Sequence, residues 1–555
     1  MKARLRGLID RALADAQAAG ELSSEQGCAF IVEVPREEGH GDLSSNVAMI
    51  LARAEKKAPR AIAEVVARYL REGAGDFISK VEIAGPGFLN VTFNDAAWRA
   101  SLLDILGEGD RFGCSTVGAG TRIQIEFCSA NPTGPLHIGH GRGAVTGDAI
   151  ARVLEAAGYA VAREYYVNDA GVQMERLGRS VRARYLALLG HDEPFPEDGY
   201  PGDYVSEYAQ KVIETQGNAW VGIPEADATA ALGRQAGDAM LAGIREDLAA
   251  FGVRFDNFTS ERALKESGKV EAAADALRER GALYEADGAT WMRTTAFADD
   301  KDRPLVKSDG SLTYFASDIC YHREKMAAGY DRLIDVWGAD HHGYIPRMRA
   351  SLQALGYDAD CLRVVLVQMV ALSRDGVPVK MGKRSGEFIT LRDVLEEVGP
   401  DLARFFFLSR KSDAHLDFDL ELARRQTAEN PVFYVQYAHT RIAGVLRQAQ
   451  EKGIEAPAPS AETVAALAHP DEIAIIRLLS DFPEIVVGAA EALEPHRVVF
   501  YAQKLAGEFH RFYSHHRFVS EDAGVTGARL LLAGAVGQVL GRALKLVGIA
   551  APDRM

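Results

Sequence analysis

At 555 residues the chain is too long for one hydrophobic core, and its length implies three or four domains. Its 47% hydrophobic and 25% charged residues describe an ordinary soluble globular protein. A formal net charge of −15 is unexpected for a nucleic-acid binder. It leaves either a partner that is not a polyanion or a local basic surface, because net charge governs solubility and steering rather than the existence of a patch.

No apolar run approaches the roughly 20 residues of a membrane span, and the N-terminal MKARLRGLIDRALADAQ has no signal-peptide core. No membrane partner is expected. Cys28, Cys114, Cys128, Cys320 and Cys361 are scattered, without a CxxC pair or zinc spacing, so no bound zinc is expected and a reducing cytoplasm fits.

The first hundred or so residues read as a separate α/β unit. Met1 to Gly20 is helical and alanine-rich, Phe30 to Val34 a strand, and Ala61 to Leu70 a helix; Val81 to Ala84 and Phe88 to Phe93 read as paired strands around Gly85-Pro86-Gly87. The following stretch, Thr121 to Tyr159, organises the chain. Ile123, Ile125 and Phe127 alternate with Arg122, Gln124 and Glu126, which predicts a strand. A proline- and glycine-rich loop follows, and after Gly143 the apolar residues Val145, Ala149 and Val153 recur at helical spacing until Gly158. Tyr159 to Val167 reads as the next strand. This βαβ unit places its loop at a helix N-terminus, where backbone N–H groups and the helix dipole favour phosphate.

That loop carries His137 and His140, whose N–H donors suit a reaction in which charge builds on a phosphoryl group. A competing reading takes Gly139, Gly141 and Ala144 as the dinucleotide fingerprint G-x-G-x-x-A, with Glu164 roughly 20 residues on as the ribose acid. It leaves the histidines unexplained.

Downstream, His191 to Met292 is dominated by helices. Within it, Tyr200-Pro201-Gly202-Asp203-Tyr204 reads from its residues as loop packing, and Phe255 to Glu261 returns the chain to the sheet. The strand Leu333 to Trp337 ends in Gly338-Ala339-Asp340-His341-His342-Gly343, beyond a carboxyl end where open α/β sheets bind ligands. Asp340 could accept from ribose hydroxyls, and His341 and His342 could line a nucleotide pocket. Another apolar run, Val364 to Leu372, precedes Lys380-Met381-Gly382-Lys383-Arg384-Ser385-Gly386. Two ammonium groups there could neutralise departing phosphates. From Thr390 the chain turns helical. Pro457 to Pro470 reads as a surface loop, and the aromatic and basic residues around 510–518 suit either single-stranded loop recognition or bundle packing.

His137-Ile138-Gly139-His140 and the Lys380–Gly386 loop resemble, in order and context, the HIGH and KMSKS signatures of class I aminoacyl-tRNA synthetases. The loop departs from the pattern at Gly382 and Arg384. Gly39 to Ala52 resembles the N-terminal domain of arginyl-tRNA synthetases, and the resemblance spans essentially the whole chain.

It implies a Rossmann-like parallel-sheet class I core, with a small N-terminal α/β domain and a C-terminal all-α domain. The implied boundaries are 1–115 for the tRNA-contacting domain, 116–398 for the catalytic domain and 399–555 for the anticodon-binding domain. The catalytic domain carries the helical insertion at about 191–292 and the KMSKS-like loop at 380–386. The implied activity is ATP-dependent attachment of L-arginine to tRNA(Arg) through an arginyl-adenylate, with Mg²⁺ accompanying ATP, by a monomer that binds no DNA. His137, His140, Lys380 and Lys383 would be catalytic. Pro132, Thr133, Gly134, Gly139, Gly338, Asp340, His341 and Met381 would join the two histidines around ATP. Glu126 and Asn131 match residues that hold the α-amino and carboxylate groups of arginine. Tyr314, Asp318 and Glu261 match its guanidinium ligands, in keeping with a planar cation that calls for carboxylates and an aromatic neighbour. Tyr434, Tyr437 and His439 would contact tRNA. The alternatives are another class I synthetase, a dinucleotide-dependent oxidoreductase that leaves Lys380 and Lys383 unexplained, and a catalytically silent tRNA-binding paralogue.

Overall fold

The computed structural model describes all 555 residues except 24–28, 36, 38, 380–388, 426 and 428. Its centre is a five-stranded parallel sheet built from β1 (Arg122–Glu126), β2 (Ala160–Val167), β3 (Asn257–Ser260), β4 (Arg332–Gly338) and β5 (Leu362–Val367), in the order β5-β4-β1-β2-β3. β1 sits in the middle. Its alternating pattern would suit a half-exposed strand, yet Ile123, Gln124, Ile125 and Glu126 are all buried. A central parallel strand is covered on both faces, so its polar side chains need internal partners. Gln124 donates to Glu164 at 3.1 Å, and Glu126 accepts from Lys325 at 2.5 Å.

The helix after β1, α1 (Ile138–Ala156), starts well before Val145, so His137 and His140 belong to a helix start rather than a free loop. At two of its glycines, neighbours take the space a side chain would fill. A Cβ at Gly141 would lie 2.7 Å from Leu391 Cδ1, and one at Gly147 2.1 Å from Phe127 Cγ. The helix ends at Ala156, and Gly158 closes the turn at φ +93°.

Residues 191–292 are not wholly helical: β3 joins the main sheet, and Leu283–Ala286 pairs with Ala289–Met292 as a hairpin. At the N-terminus, the helices Lys2–Ala18 and Pro59–Gly73 accompany a four-stranded antiparallel sheet. The helix Asp95–Glu108 then ties this unit to the helical C-terminal part: Arg99 Nε donates to the Leu467 carbonyl at 2.8 Å, and Gln538 to the Ile105 carbonyl at 2.7 Å.

The C-terminal part packs α4 (Pro431–Glu451), α5 (His496–His515) and α6 (Ala523–Leu546) together, after α2 (Tyr314–Ala327) and α3 (Leu391–Val398) in the core. Contrary to the sequence expectation, α6 is long and apolar enough to cross a membrane, with a mean hydropathy of 1.4. Most of it is buried, and it packs against α4 and α5. Arg404 joins three regions: its buried guanidinium pairs with Asp148 of α1 and donates to the carbonyls of Phe251 and Val547, each at 3.0 Å.

Candidate active site

After β1 the chain runs outward to β2 and β3; β4 and β5 lie on its other side. The carboxyl ends of β1 and β4 therefore flank a topological switch point, where doubly wound sheets open a crevice. The Pro132-Thr133-Gly134 loop and α1 follow β1, and Gly338 to Gly343 follow β4.

At the start of α1, His137 is the N-cap. Its Nδ1 accepts from the Gly139 N–H at 3.1 Å, while His140 Nδ1 accepts from the His137 N–H at 3.3 Å. The two rings stack with centroids 3.6 Å apart. With both Nδ1 atoms acting as acceptors, each neutral ring carries its proton on Nε2. The helix start thus fixes two imidazole donors in parallel. Tyr204 supports the preceding loop: its hydroxyl donates to the Thr133 carbonyl at 2.9 Å, and a Cβ on Gly134 would lie 2.9 Å from that oxygen. The turn carrying Tyr204 therefore braces the Pro132-Thr133-Gly134 loop. Lys380, Met381 and Lys383 lie outside the described residues. The chain after them is anchored to the same corner, because His137 bridges Thr390 and the Leu391 N–H donates to the Leu136 carbonyl at 2.7 Å. Arg142, wholly buried one turn into α1, donates to the carbonyls of Gln368 and Ala414, each at 2.8 Å, and fastens α1 to the end of β5.

The other end of the crevice is acidic. Asp318, on α2, accepts from the Tyr344 hydroxyl, and burial pushes its carboxyl up to about 6, with Glu126 and Glu261 adding to the effect. Glu261 is 1% exposed, and its partner is the Lys265 ammonium, 2.5 Å from Oε1. The Tyr166 hydroxyl is buried and unbonded among the described residues; burial pushes its proton loss up, and Glu261, Asp318, Glu126 and Asp169 push in the same direction. Tyr314 is 59% exposed, with its ring 5.7 Å from Lys265 Nζ. The sequence-predicted acids Glu126, Asp318 and Glu261 therefore share one electrostatic neighbourhood, bordered by Tyr314.

Glu126 is tied to this cluster from beneath. Its carboxylate accepts from Ser129 at 3.0 Å and from Lys325, which also bonds Asp335 at 3.2 Å; Asp335 in turn lies 2.8 Å from His322 Nε2. Burial would strip the Lys325 proton, but the two carboxylates outweigh it and keep the ammonium charged. Burial would likewise raise Asp335, but Lys325 and His322 hold it low. Neither Lys325 nor His322 was among the sequence candidates. Their signal was present: Asp318, His322 and Lys325 follow i, i+4, i+7 spacing, which puts them on one face of a helix. Asn131 is half-buried in the loop after β1, where its carbonyl accepts from the Thr133 N–H at 2.8 Å.

Other candidates stand apart. Asp340 and His341 follow β4 as expected but are largely exposed, 3.7 Å from each other. Glu164 is 2% exposed and bonded to Gln124 and Thr259 inside the sheet, so it cannot serve as a ribose acid. In the helical part, Tyr437 lies under the Arg441 guanidinium, which also covers Tyr513 at 4.5 Å, forming an aromatic–cation patch. Tyr434 packs its ring on His510. His439 turns elsewhere and meets the Pro552 carbonyl at 3.2 Å, as expected two residues from Tyr437 at about 100° per residue.

The family model of the arginyl tRNA synthetase N-terminal domain matches residues 3–93. That of the class I (R) tRNA synthetase catalytic domain matches 102–184 and 242–417, and that of the DALR anticodon-binding domain matches 435–555. An arginine–tRNA ligase of Syntrophotalea carbinolica is 52% identical over the whole of both chains, and one of Citrifermentans bemidjiense is 50% identical, again over the whole of both. The solved Thermus thermophilus arginyl-tRNA synthetase, 22% identical, superposes over the full length of both chains with a TM-score of 0.76, which speaks to the fold. On sequence matches that run from end to end, the chain belongs to the arginyl-tRNA synthetase family.

Proposed function

We propose that this arginine–tRNA ligase carries out both half-reactions in the crevice between β1 and β4, with arginine's side chain in the acidic end and ATP along the start of α1. The observation that carries the reading is the pair of buried carboxylates at the acidic end. Glu261 is enclosed with the rim-side Lys265 ammonium as its ion-pair partner, and burial pushes the Asp318 carboxyl up to about 6. A site that gathers three enclosed acids suits a cation that arrives with its own donors, and a guanidinium brings five. Tyr314 and Tyr344 border it, and Glu126 and Asn131 stand toward β1 for the α-amino and carboxylate groups.

In the first step the arginine carboxylate attacks the α-phosphorus of ATP, a P–O bond forms, and pyrophosphate leaves. No general base is needed, because the nucleophile is already ionised. His137 and His140 offer Nε2–H donors to the phosphates, with Lys380 and Lys383 joining them as charge moves onto pyrophosphate. Pro132, Thr133, Gly134 and Gly139 shape the nucleotide loop; Gly338, Asp340, His341 and Met381 complete the ATP site. Mg²⁺ enters with ATP. In the second step the 2′-hydroxyl of the terminal tRNA adenosine attacks the acyl carbon and AMP leaves. We assign residues 1–115 to tRNA contact, 116–398 to catalysis and 399–555 to the anticodon, where Tyr437 with Arg441 and Tyr513 offers stacking and charge. The same reading takes the ligase as a cytoplasmic monomer. Pyrophosphate exchange measured with each of the twenty amino acids, with and without tRNA, tests the reading. Exchange is expected with arginine alone and to be very weak without tRNA, and exchange driven by another amino acid would overturn it.

A further inference from the structure

Lys265 reaches into the place where the substrate cation is proposed to bind. It leaves the short helix Glu261–Glu266 one turn after Glu261, and its Nζ lies 2.5 Å from Glu261 Oε1 and 5.7 Å from the centre of the Tyr314 ring. Helical pairs at i, i+4 are usually solvated on both sides. Here the partners are unequal: the Glu261 side chain is 2% exposed and that of Lys265 34%. The ammonium comes in from the rim to a carboxylate that cannot reach water. The neighbouring acids have fixed partners, Lys325 for Glu126 and the Tyr344 hydroxyl for Asp318. Among the described residues, Lys265 is the ion-pair partner of Glu261.

We propose that Lys265 is an internal counter-ion that occupies the guanidinium position of the empty site and leaves when arginine binds. This rests on the reading of Glu261 and Tyr314 as guanidinium ligands. A buried carboxylate without a cation is strongly destabilising, so a cation site needs a stand-in while it is empty. A lysine on a flexible stem is a point charge that can swing back to solvent; a guanidinium is a planar fork that satisfies carboxylate oxygens with paired N–H bonds. The exchange therefore runs toward arginine. Its effect is a reduction of apparent affinity by the fraction of sites in which Lys265 has already left. That factor applies to every cation using the pocket, so it does not alter the ratio between arginine and canavanine.

The test is aminoacylation by the full-length enzyme carrying Lys265→Met, Lys265→Gln or Lys265→Arg, with Asp318→Asn measured alongside. Lys265→Met and Lys265→Gln are expected to lower the arginine KM by about three- to tenfold, as removal of a competitor filling most of the sites predicts. The canavanine KM should fall by the same factor, and the ATP KM should not move. Lys265→Arg installs a stronger competitor and raises the arginine KM. A lysine that only braced its helix would give the opposite sign on removal, so an unchanged or raised arginine KM in both Met and Gln variants overturns the proposal. If Asp318→Asn raises the arginine KM while the lysine variants do not lower it, the pocket stands and the counter-ion falls. If none of them moves it, the pocket itself is misplaced.

Discussion

At the proposed amino-acid end of the crevice the side chains are carboxylates sunk among buried partners, whereas at the proposed phosphate end they are imidazoles at the half-open start of a helix. Glu126 and Glu261 are almost wholly enclosed; His137 and His140 are half-buried, and the backbone fixes their orientation. The difference matches what each end must recognise. A side-chain cation is the same in ground and transition states, so its partners act on binding. Phosphate charge shifts during the reaction, so donors aimed at it act on rate. Substitutions at the two ends should therefore separate into binding and rate effects.

The largest effect belongs to the layer beneath the acidic end. Lys325→Met leaves Glu126 and Asp335 buried without their shared ammonium. Breaking a buried pair in this way costs about 3–5 kcal/mol, which corresponds to a fall in Tm on the order of 10 °C for a unit of domain size. Differential scanning calorimetry measures it. A fall of under about 2 °C would mean that water reaches the network, and the contrast between a buried end and an open end would fail.

Asp318→Asn comes next. It keeps shape and one acceptor but removes the charge, and a loss of about 3–5 kcal/mol corresponds to two to three decades or more in kcat/KM. It should appear in arginine KM, with ATP KM nearly unchanged. Glu261→Gln should be at least as severe. A milder effect would follow if Glu261 were partly solvated, and at 1% exposure it is not. Steady-state kinetics in both substrates separates the outcomes, and an arginine KM within about twofold of wild type in Asp318→Asn, far below that expectation, would put the pocket elsewhere.

Much of this architecture was legible in the sequence because its signals are local. The period-two run at Ile123 to Phe127 and the glycine-rich stretch after it announced the βαβ unit, and the histidine signature fell at the start of α1. The helix start was misplaced because Gly139, Gly141 and Gly143 look like loop residues in the sequence, and the close approach of Leu391 to Gly141 is made by a residue far along the chain. The acids were visible one at a time. Their joint burial was not, since it depends on β1 and β4 setting Glu126 beside Asp335 across a register. Likewise α6 carries a membrane-like sequence, and its burial depends on α4 and α5 folding back against it.

At the phosphate end, His140→Ala removes a donor that strengthens its bond as charge develops, which costs roughly 100- to 1000-fold in kcat with little change in arginine KM. Lys380→Ala should show the same pattern, and Lys383→Ala a smaller loss given Gly382 and Arg384 beside it. Single-turnover adenylate formation is the direct measurement. A large rise in arginine KM with kcat intact would erase the division of labour between the two ends.

The smallest effect is set by pH. Asp318 sits near 6 in the free enzyme because burial raises it, and the carboxylates of Glu126 and Glu261 add to this against the Tyr344 hydroxyl and His322. The arginine cation pairs with the ionised form. Above about pH 6 that form is already present and arginine KM should be level. Below it Asp318 holds a proton in the empty site, binding must expel that proton, and the KM should rise about tenfold per pH unit. The sign is fixed by linkage: a ligand that favours the unprotonated group binds more weakly where the free protein keeps the proton. ATP binding uses the other end and should not follow this curve. Asp318→Asn provides the control, since an amide cannot titrate and its arginine KM, though high, should lose the dependence centred near 6. A wild-type KM that stays level between pH 5 and pH 7, a span of about one unit either side of that midpoint, would show that Asp318 is already ionised in the free site. Lys265 or bound water would then be compensating it, and the acidic end would be less dry than its burial suggests.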